Sequence, residues 1–159
     1  MLLFKRIIFI LLFFFTACGF SPVYTDKNSS KLLRQIEIQE PETQNEFIFY
    51  SHLVDHFGDL GDKYVLNYVI STSKDDSALD FDGTVHRIEI SGSVSFNLKN
   101  KENGIELLSD REEMYLSYSN AGSTAAVLNA ERTTNKQLVN LLAEKVADRV
   151  SLVIVEKSL

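Results

Sequence analysis

Apolar and polar residues alternate over residues 87–98, and this is the clearest periodic pattern in the chain. One side carries Ile88, Ile90, Val94, Phe96 and Leu98, and the other carries Arg87, Glu89, Ser91, Ser93, Ser95 and Asn97. A period of two predicts a strand with one buried face. Gly92 falls on the apolar side, which predicts either a bulge or close packing against a neighbouring element.

Three further stretches predict strands. A short strand is expected over residues 33–39, where Ile36 and Ile38 alternate with polar residues, and another over residues 64–71. The acidic stretch 73–82 then predicts a loop. Residues 105–119 form the last strand, with Met114, Leu116 and Tyr118 on one face and a bulge near Leu108, where alternation breaks. Residues 99–104 predict a hairpin loop that ends in Asn and Gly.

A helix is predicted over residues 42–57, because five apolar residues recur there at helical spacing. They are Phe47, Tyr50, Leu53, Val54 and Phe57. Pro41 suits the first turn, Glu42 and Glu46 favour the positive end of the helix dipole, and residues 58–62 end the helix.

The last predicted helix begins after Ser123, a residue that can cap its first turn. Its apolar stripe consists of Leu128, Leu138, Val139, Leu142, Val146 and Val150. Residues 133–135 are weak helix formers and predict a soft spot. Residues 152–155 either extend the helix or form a separate strand.

These elements come in the order β-α-β-β-β-α. The first strand–helix–strand unit needs a crossover connection, whereas the following strands can join as hairpins. The sequence therefore predicts an α+β fold, a two-layer sandwich in which two helices cover one face of a four-stranded, mostly antiparallel sheet. This domain takes up residues 32–159 of the 159-residue chain.

The first 17 residues have the pattern of a signal peptide and are not expected to belong to the folded domain. Lys5 and Arg6 precede nine apolar residues, 7–15, and small residues follow. The apolar run is shorter than the roughly 20 residues that span a bilayer.

Cys18 stands at the end of this run, and it is the single cysteine of the chain. Phe15-Thr16-Ala17-Cys18 resembles the bacterial lipobox, which implies cleavage before Cys18 and attachment of a lipid to its sulfur. The alternative is an ordinary exported protein with an incidental cysteine. Gly19 stands where Asp would retain a lipoprotein in the inner membrane, so the outer membrane is expected. Residues 18–31 predict a polar tether.

Composition excludes several classes of function. The formal charge of −6 becomes −8 once Lys5 and Arg6 are removed, which argues against nucleic acid as a partner. One cysteine permits no intramolecular disulfide. We find no nucleophilic elbow and no phosphate-binding glycine loop, so no enzyme activity and no catalytic residue are predicted.

Two patterns, one of histidines and one of acidic residues, match part of a metal-site motif. His52 and His56 have the i, i+4 spacing of a zinc site but lack the adjacent glutamate. Asp80, Asp82, Gly83 and Glu89 match part of a calcium loop whose first position is Ala78. Solvated side chains explain both patterns better, and no metal and no cofactor other than the lipid on Cys18 are predicted.

The remaining candidates for function are polar and basic residues on the surface. The polar side of the third strand is rich in hydroxyl groups, which indicates either plain solvent exposure or contact with the polar lumen of a larger barrel. Lys99 and Lys101 form a basic hairpin tip, with Arg87 and Arg111 on neighbouring strands. These four residues could meet anionic lipid headgroups, and a solvated turn is the alternative for the lysines.

The layout resembles a known family. Residues 17–24, Ala-Cys-Gly-Phe-Ser-Pro-Val-Tyr, resemble the start of the LptE family of lipopolysaccharide-assembly lipoproteins, of the alphaproteobacterial type. Residues 116–120, 125–130 and 142–149 resemble the end of that family, and Asp82-Gly83 followed by Arg87 resembles its middle strand.

The resemblance implies an α+β fold and a non-catalytic role. LptE-like proteins plug the outer-membrane β-barrel LptD, support its assembly and assist insertion of lipopolysaccharide into the outer leaflet. It implies acylation of Cys18, a position on the periplasmic side of the outer membrane, and LptD, lipopolysaccharide and the membrane as partners. The alternatives are an auxiliary subunit of another envelope lipid-transport complex, anchored by its lipid, and a tethered periplasmic hydrolase.

Overall fold

The computed structural model describes residues 33–79 and 85–156, and it describes the side chains of residues 33–75 and 87–156. The predicted signal peptide 1–17, the predicted tether 18–31 and Cys18 lie outside these ranges. The elements are β1 (Ile36–Ile38), α1 (Gln44–Phe57), β2 (Tyr64–Leu79), β3 (Val85–Asn100), β4 (Glu106–Ser119) and α2 (Thr124–Glu156). The predicted order of elements is confirmed.

The four strands form one open sheet in the order β1-β2-β3-β4. β1 pairs parallel with β2, and the other two pairings are antiparallel. Buried residues of both helices share one core with the even-numbered residues of the long strands, such as Leu66, Val94 and Phe96. Both helices therefore lie on the same face, which confirms the predicted α+β architecture.

α1 begins two residues later than the sequence predicts. The Oγ1 of Thr43 accepts the N–H of Glu46 at 3.3 Å, and the Glu46 carboxylate accepts the N–H of Thr43 at 3.0 Å. This capping box satisfies the N–H groups that a helix start leaves open. The placement of Pro41 and Glu42 in the helix is wrong, because Thr43 caps the helix after them.

The buried side of α1 also differs from the predicted side. Phe49, Leu53 and Phe57 are fully buried, whereas Phe47 is 62% exposed. The ring of Phe49 lies 4.7 Å from the ring of Tyr68, on the face of the sheet that the helix covers. Both phenylalanines fit an apolar stripe of the helix. The side on which the sheet lies decides that Phe49 is buried and Phe47 is exposed. At the other end, Gly58 has φ 83° and donates its N–H to the carbonyl of Val54 at 2.8 Å.

The loop predicted over residues 73–82 is wrong, because β2 continues to Leu79. Ser73, Lys74 and Asp75 pair with Ser91, Ile90 and Glu89 of β3. β3 extends far enough to pair with these residues. Backbone hydrogen bonds between strands form whether the side chains are polar or apolar. The calcium-loop positions Asp80, Asp82 and Gly83 lie outside the described residues.

β3 confirms the clearest prediction, since its five even-numbered apolar residues are all buried. The ladder has no register shift at Gly92, so close packing rather than a bulge explains this glycine. Leu98 pairs with Leu108 and Lys99 with Glu106, which leaves Leu107 as an extra residue. The predicted bulge near Leu108 is thereby confirmed.

α2 is one continuous helix of 33 residues, so residues 152–155 extend it and residues 133–135 do not break it. Asn135 donates from Nδ2 to Asn45 Oδ1 at 2.8 Å, which ties this stretch to α1. Leu128 was predicted in the buried stripe and is 48% exposed, because Val127 and Ala130 face the sheet there instead. None of the described helices has the length and apolarity needed to cross a membrane.

Candidate functional site on the uncovered face of the sheet

The two helices leave the opposite face of the sheet uncovered by any described element. This surface, called the open face below, is formed by odd-numbered residues of three strands, because side chains alternate between the faces of a sheet. Its central residues are Asn67, Val69, Ser71, Ser73, Ser91, Ser93, Ser95, Asn97, Ser109, Arg111, Glu113 and Tyr115.

Hydrogen bonds between neighbouring strands fix several of these side chains. The hydroxyl oxygens of Ser73 and Ser91 lie 2.6 Å apart, and Asn67 donates from Nδ2 to Asn97 Oδ1 at 3.2 Å. A shallow depression of about 240 Å³ lies over the serines, bordered by Arg111 and Tyr115. The serine and asparagine part of the open face is thus a polar surface whose short side chains are hydrogen-bonded to one another.

A charged network runs along β4 on this face. Arg111 donates from Nε to Glu113 at 2.9 Å and from Nη2 to Ser93 Oγ at 3.2 Å. The hydroxyl of Tyr115 donates to Glu113 Oε2 at 3.2 Å. This hydrogen bond and the charge of Glu113 raise the pKa of Tyr115 above its usual value. Arg111 is therefore held in place by its own neighbours.

The structure does not bring the four candidate cations together. Arg87 and Lys99 lie near opposite ends of β3, about 40 Å apart at the usual rise of a strand. Arg111 pairs with Ser95 near the middle of the open face. Lys101 lies in the turn beyond β3, where it forms an ion pair with Glu37. Lys99 lies 3.8 Å from Glu106.

Two exposed residues of the open face were not singled out from the sequence. Val69 is 69% exposed and Tyr115 is 58% exposed. The signal available in the sequence was the alternation of each strand. A residue next to a buried position along a strand points to the other face of the sheet. They give the polar surface two larger exposed side chains.

The histidine pair lies on the helical layer instead. His52 borders a groove of about 310 Å³ between α1 and α2, together with Phe47, Asp55 and Lys136. The ring of His56 meets the ring of Phe57 edge-on at 5.3 Å. The described part of the chain contains no group of three or more His, Cys, Asp or Glu side chains placed to hold a metal ion.

Comparison with known proteins identifies the fold. No family model and no curated protein matches the sequence. Three solved structures illustrate the structural likeness. A candidate lipoprotein from Caulobacter crescentus has a TM-score of 0.67 and 19% identity, covering 82% of this chain and 97% of its own.

The other two come from different bacteria. The uncharacterized lipoprotein B of Nitrosomonas europaea has a TM-score of 0.60 and 15% identity, over 73% of this chain and 81% of its own. The rare lipoprotein B of Shewanella oneidensis has a TM-score of 0.52 and 19% identity, over 78% and 94%. The chain therefore has a fold that also occurs in bacterial proteins described as lipoproteins.

Proposed function

We propose that this chain is a lipoprotein, anchored through Cys18 on the periplasmic side of the outer membrane, that plugs an LptD-type β-barrel. In this role it supports assembly of the barrel and assists insertion of lipopolysaccharide into the outer leaflet. The role is non-catalytic, and the lipid on Cys18 is the only attached group. The structural likeness to lipoproteins and the lipobox pattern at Cys18 support the anchor.

The open face is the observation that carries the proposal. A sheet face without helices needs either water or a partner against it, and here it is lined by serine and asparagine side chains. The lumen of a large outer-membrane barrel is itself polar. The hydroxyl and amide groups of this face can exchange hydrogen bonds with such a wall, and the charges of Arg111 and Glu113 on the same face already pair with each other.

Lipopolysaccharide contact is assigned to Arg87, Lys99, Lys101 and Arg111, each of which already interacts with another group of the chain. Arg87 is exposed at the end of the open face. Lys99, Lys101 and Arg111 already face the carboxylates of Glu106, Glu37 and Glu113, respectively. A phosphate must therefore replace a carboxylate partner at these three positions, and exposed pairs of this kind are weak enough to exchange.

Site-specific photocrosslinking tests the proposal. A photoreactive amino acid replaces Ser93 on the open face, and a matched variant carries it at Glu144, an exposed residue of α2. The full-length gene is expressed so that Cys18 is processed, and outer membranes are solubilised in mild detergent. We expect position 93 to crosslink to a large outer-membrane barrel more strongly than position 144.

Two results contradict the proposal. Crosslinks from position 93 to inner-membrane transporter subunits favour the auxiliary-subunit alternative. Equal crosslinking at both positions, or none to a barrel, shows that the open face does not dock in a lumen.

A further inference from the structure

The outer edge of β4 is a second uncovered feature, and it differs from the open face. Within residues 33–79 and 85–156, β4 pairs with β3 on one side and with no strand on the other. An unpaired edge offers a row of N–H and C=O groups that can pair with another strand.

The direction of these backbone groups follows from the hydrogen bonds at the far side of the sheet. Leu66 accepts the N–H of Gln39 at 3.0 Å, and Tyr68 donates its N–H to Gln39 Oε1 at 3.3 Å. Even-numbered residues of β2 therefore point their backbone groups toward β1. In an antiparallel sheet this alternation passes from strand to strand through the register.

The register carries this pattern to β4. Asn67 pairs with Asn97, and Phe96 pairs with Asp110, so odd-numbered residues of β4 point their backbone groups outward. The N–H of Arg111 agrees with this assignment, because the adjacent Asp110 Oδ1 binds it at 2.8 Å.

Charged side chains line only one part of this edge of β4. Residues 110–113 are all charged, whereas residues 114–119 carry no charge. Charged side chains on an edge strand discourage pairing with other strands. The exposed residues Tyr115, Ser117 and Ser119 are therefore the part of the edge that is open to a partner strand.

We infer that residues 113–119 of β4 pair antiparallel with the same residues of a second copy of this chain. With Leu116 opposite Leu116 of the second copy, Met114 meets Tyr118 on the helix-covered face. On the open face, Tyr115 meets Ser117 and Glu113 meets Ser119. Each apolar residue then faces an apolar or aromatic one, and no two carboxylates stand opposite each other.

Backbone geometry and local charge agree with this register. All pairs of odd-numbered residues fall on hydrogen-bonding positions, which gives up to about eight interchain bonds. The nearby acidic residues have cations of their own, since Glu112 lies 3.3 Å from both Lys145 and Arg149. The result is one continuous eight-stranded sheet with two-fold symmetry, in which all four helices lie on the same side.

Sedimentation equilibrium of the acylated mature protein in mild detergent tests the dimer. Ser117→Pro removes an outward N–H without breaking a bond to β3, whereas Ser109→Pro makes the same change on the same edge outside the paired segment. We expect a reversible dimer for the native chain and for Ser109→Pro. Ser117→Pro is expected to raise the dissociation constant at least about tenfold.

Disulfide crosslinking is the second measurement, and it does not depend on a proline variant. Leu116→Cys places two thiols at the symmetry axis, where opposite Cβ atoms are about 4.5–5.5 Å apart, and Ser109→Cys is the control. A covalent dimer of Leu116→Cys alone supports the inference. A monomeric native chain, equal loss of dimer in both proline variants, or equal crosslinking at both positions overturns it. The inference is independent of the barrel-plug proposal, and either can fail alone.

Discussion

Gly92 of β3 lies so close to Leu138 of α2 that a methyl group added at Gly92 would force the Leu138 side chain to shift. A Cβ atom added at Gly92 would lie 2.7 Å from Leu138 Cδ2 and 3.1 Å from Leu142 Cδ1. This contact sets how closely α2 approaches the sheet, since Leu138 and Leu142 are both fully buried.

Gly92→Ala is expected to lower the free energy of unfolding by about 1–3 kcal/mol, because buried leucines have little room to move away from an added methyl group. Urea unfolding followed by circular dichroism measures the change. Ser95→Ala, an exposed position in the same strand, is the control and should change stability by less than about 0.5 kcal/mol. In the Leu138→Ala background the cost of Gly92→Ala should shrink, and an unchanged cost would refute the contact.

Thr43→Ala should destabilise the protein by about 0.5–2 kcal/mol, because it removes the hydrogen bond that caps α1. Glu46→Gln keeps a side-chain oxygen that can accept the Thr43 N–H and should cost less. Thermal unfolding of the three proteins compares them. Equal stability of Thr43→Ala and the native chain would mean that the capping box contributes nothing.

Burial of Tyr68, together with the nearby Glu46 and Tyr50, raises the pKa of its hydroxyl well above the ordinary value. The folded state therefore keeps a proton that the unfolded state loses above about pH 10, so stability should fall as pH rises beyond that point. Urea unfolding at pH 9 and pH 11 measures this loss.

Tyr68→Phe is the matched variant for the alkaline prediction. It loses the 3.1 Å hydrogen bond from the hydroxyl to the Gln39 carbonyl and should be about 1 kcal/mol less stable at pH 9. It should also lose less stability between pH 9 and pH 11 than the native chain does. A parallel decline in both proteins would assign the alkaline effect to other groups.

Glu112 is the best-placed carboxylate for an ion-pair contribution, because its side chain is 16% exposed and faces two cations of α2. Glu112→Gln should cost about 1 kcal/mol at low salt and less at high salt. Glu113→Gln, whose native side chain is 47% exposed beside Arg111, should cost less. Unfolding titrations at two salt concentrations distinguish them, and a salt-independent loss at Glu112 would point to packing instead.

Arg87→Glu is expected to weaken lipopolysaccharide binding several-fold if the open face carries the ligand, because charge reversal replaces attraction by repulsion. Arg132→Glu reverses an exposed charge on α2 and serves as the control. Binding of labelled lipopolysaccharide to the purified mature protein measures both. Equal weakening by the two variants would indicate an effect of net charge rather than a site.

Much of the architecture could be predicted from the sequence. Alternation fixed which residues of β3 are buried, since a strand has two faces and a period of two assigns every residue to one of them. The same reasoning found the bulge near Leu108 and offered close packing as one explanation of Gly92. The acylation of Cys18 stays a prediction from a local pattern, because a processing signal is read from adjacent residues rather than from a fold.

The tertiary structure decided between alternatives that fit the local sequence pattern equally well. Phe47 and Phe49 both suit an apolar stripe, and the position of the sheet buries Phe49. Lys74 and Asp75 look like loop residues until β3 supplies a partner strand for their backbone groups. Arg87 and Lys99 are candidates for the same kind of contact, yet the length of β3 separates them. Which residues lie next to each other across the sheet depends on contacts between distant parts of the chain. Only the packing of the strands and helices shows these contacts.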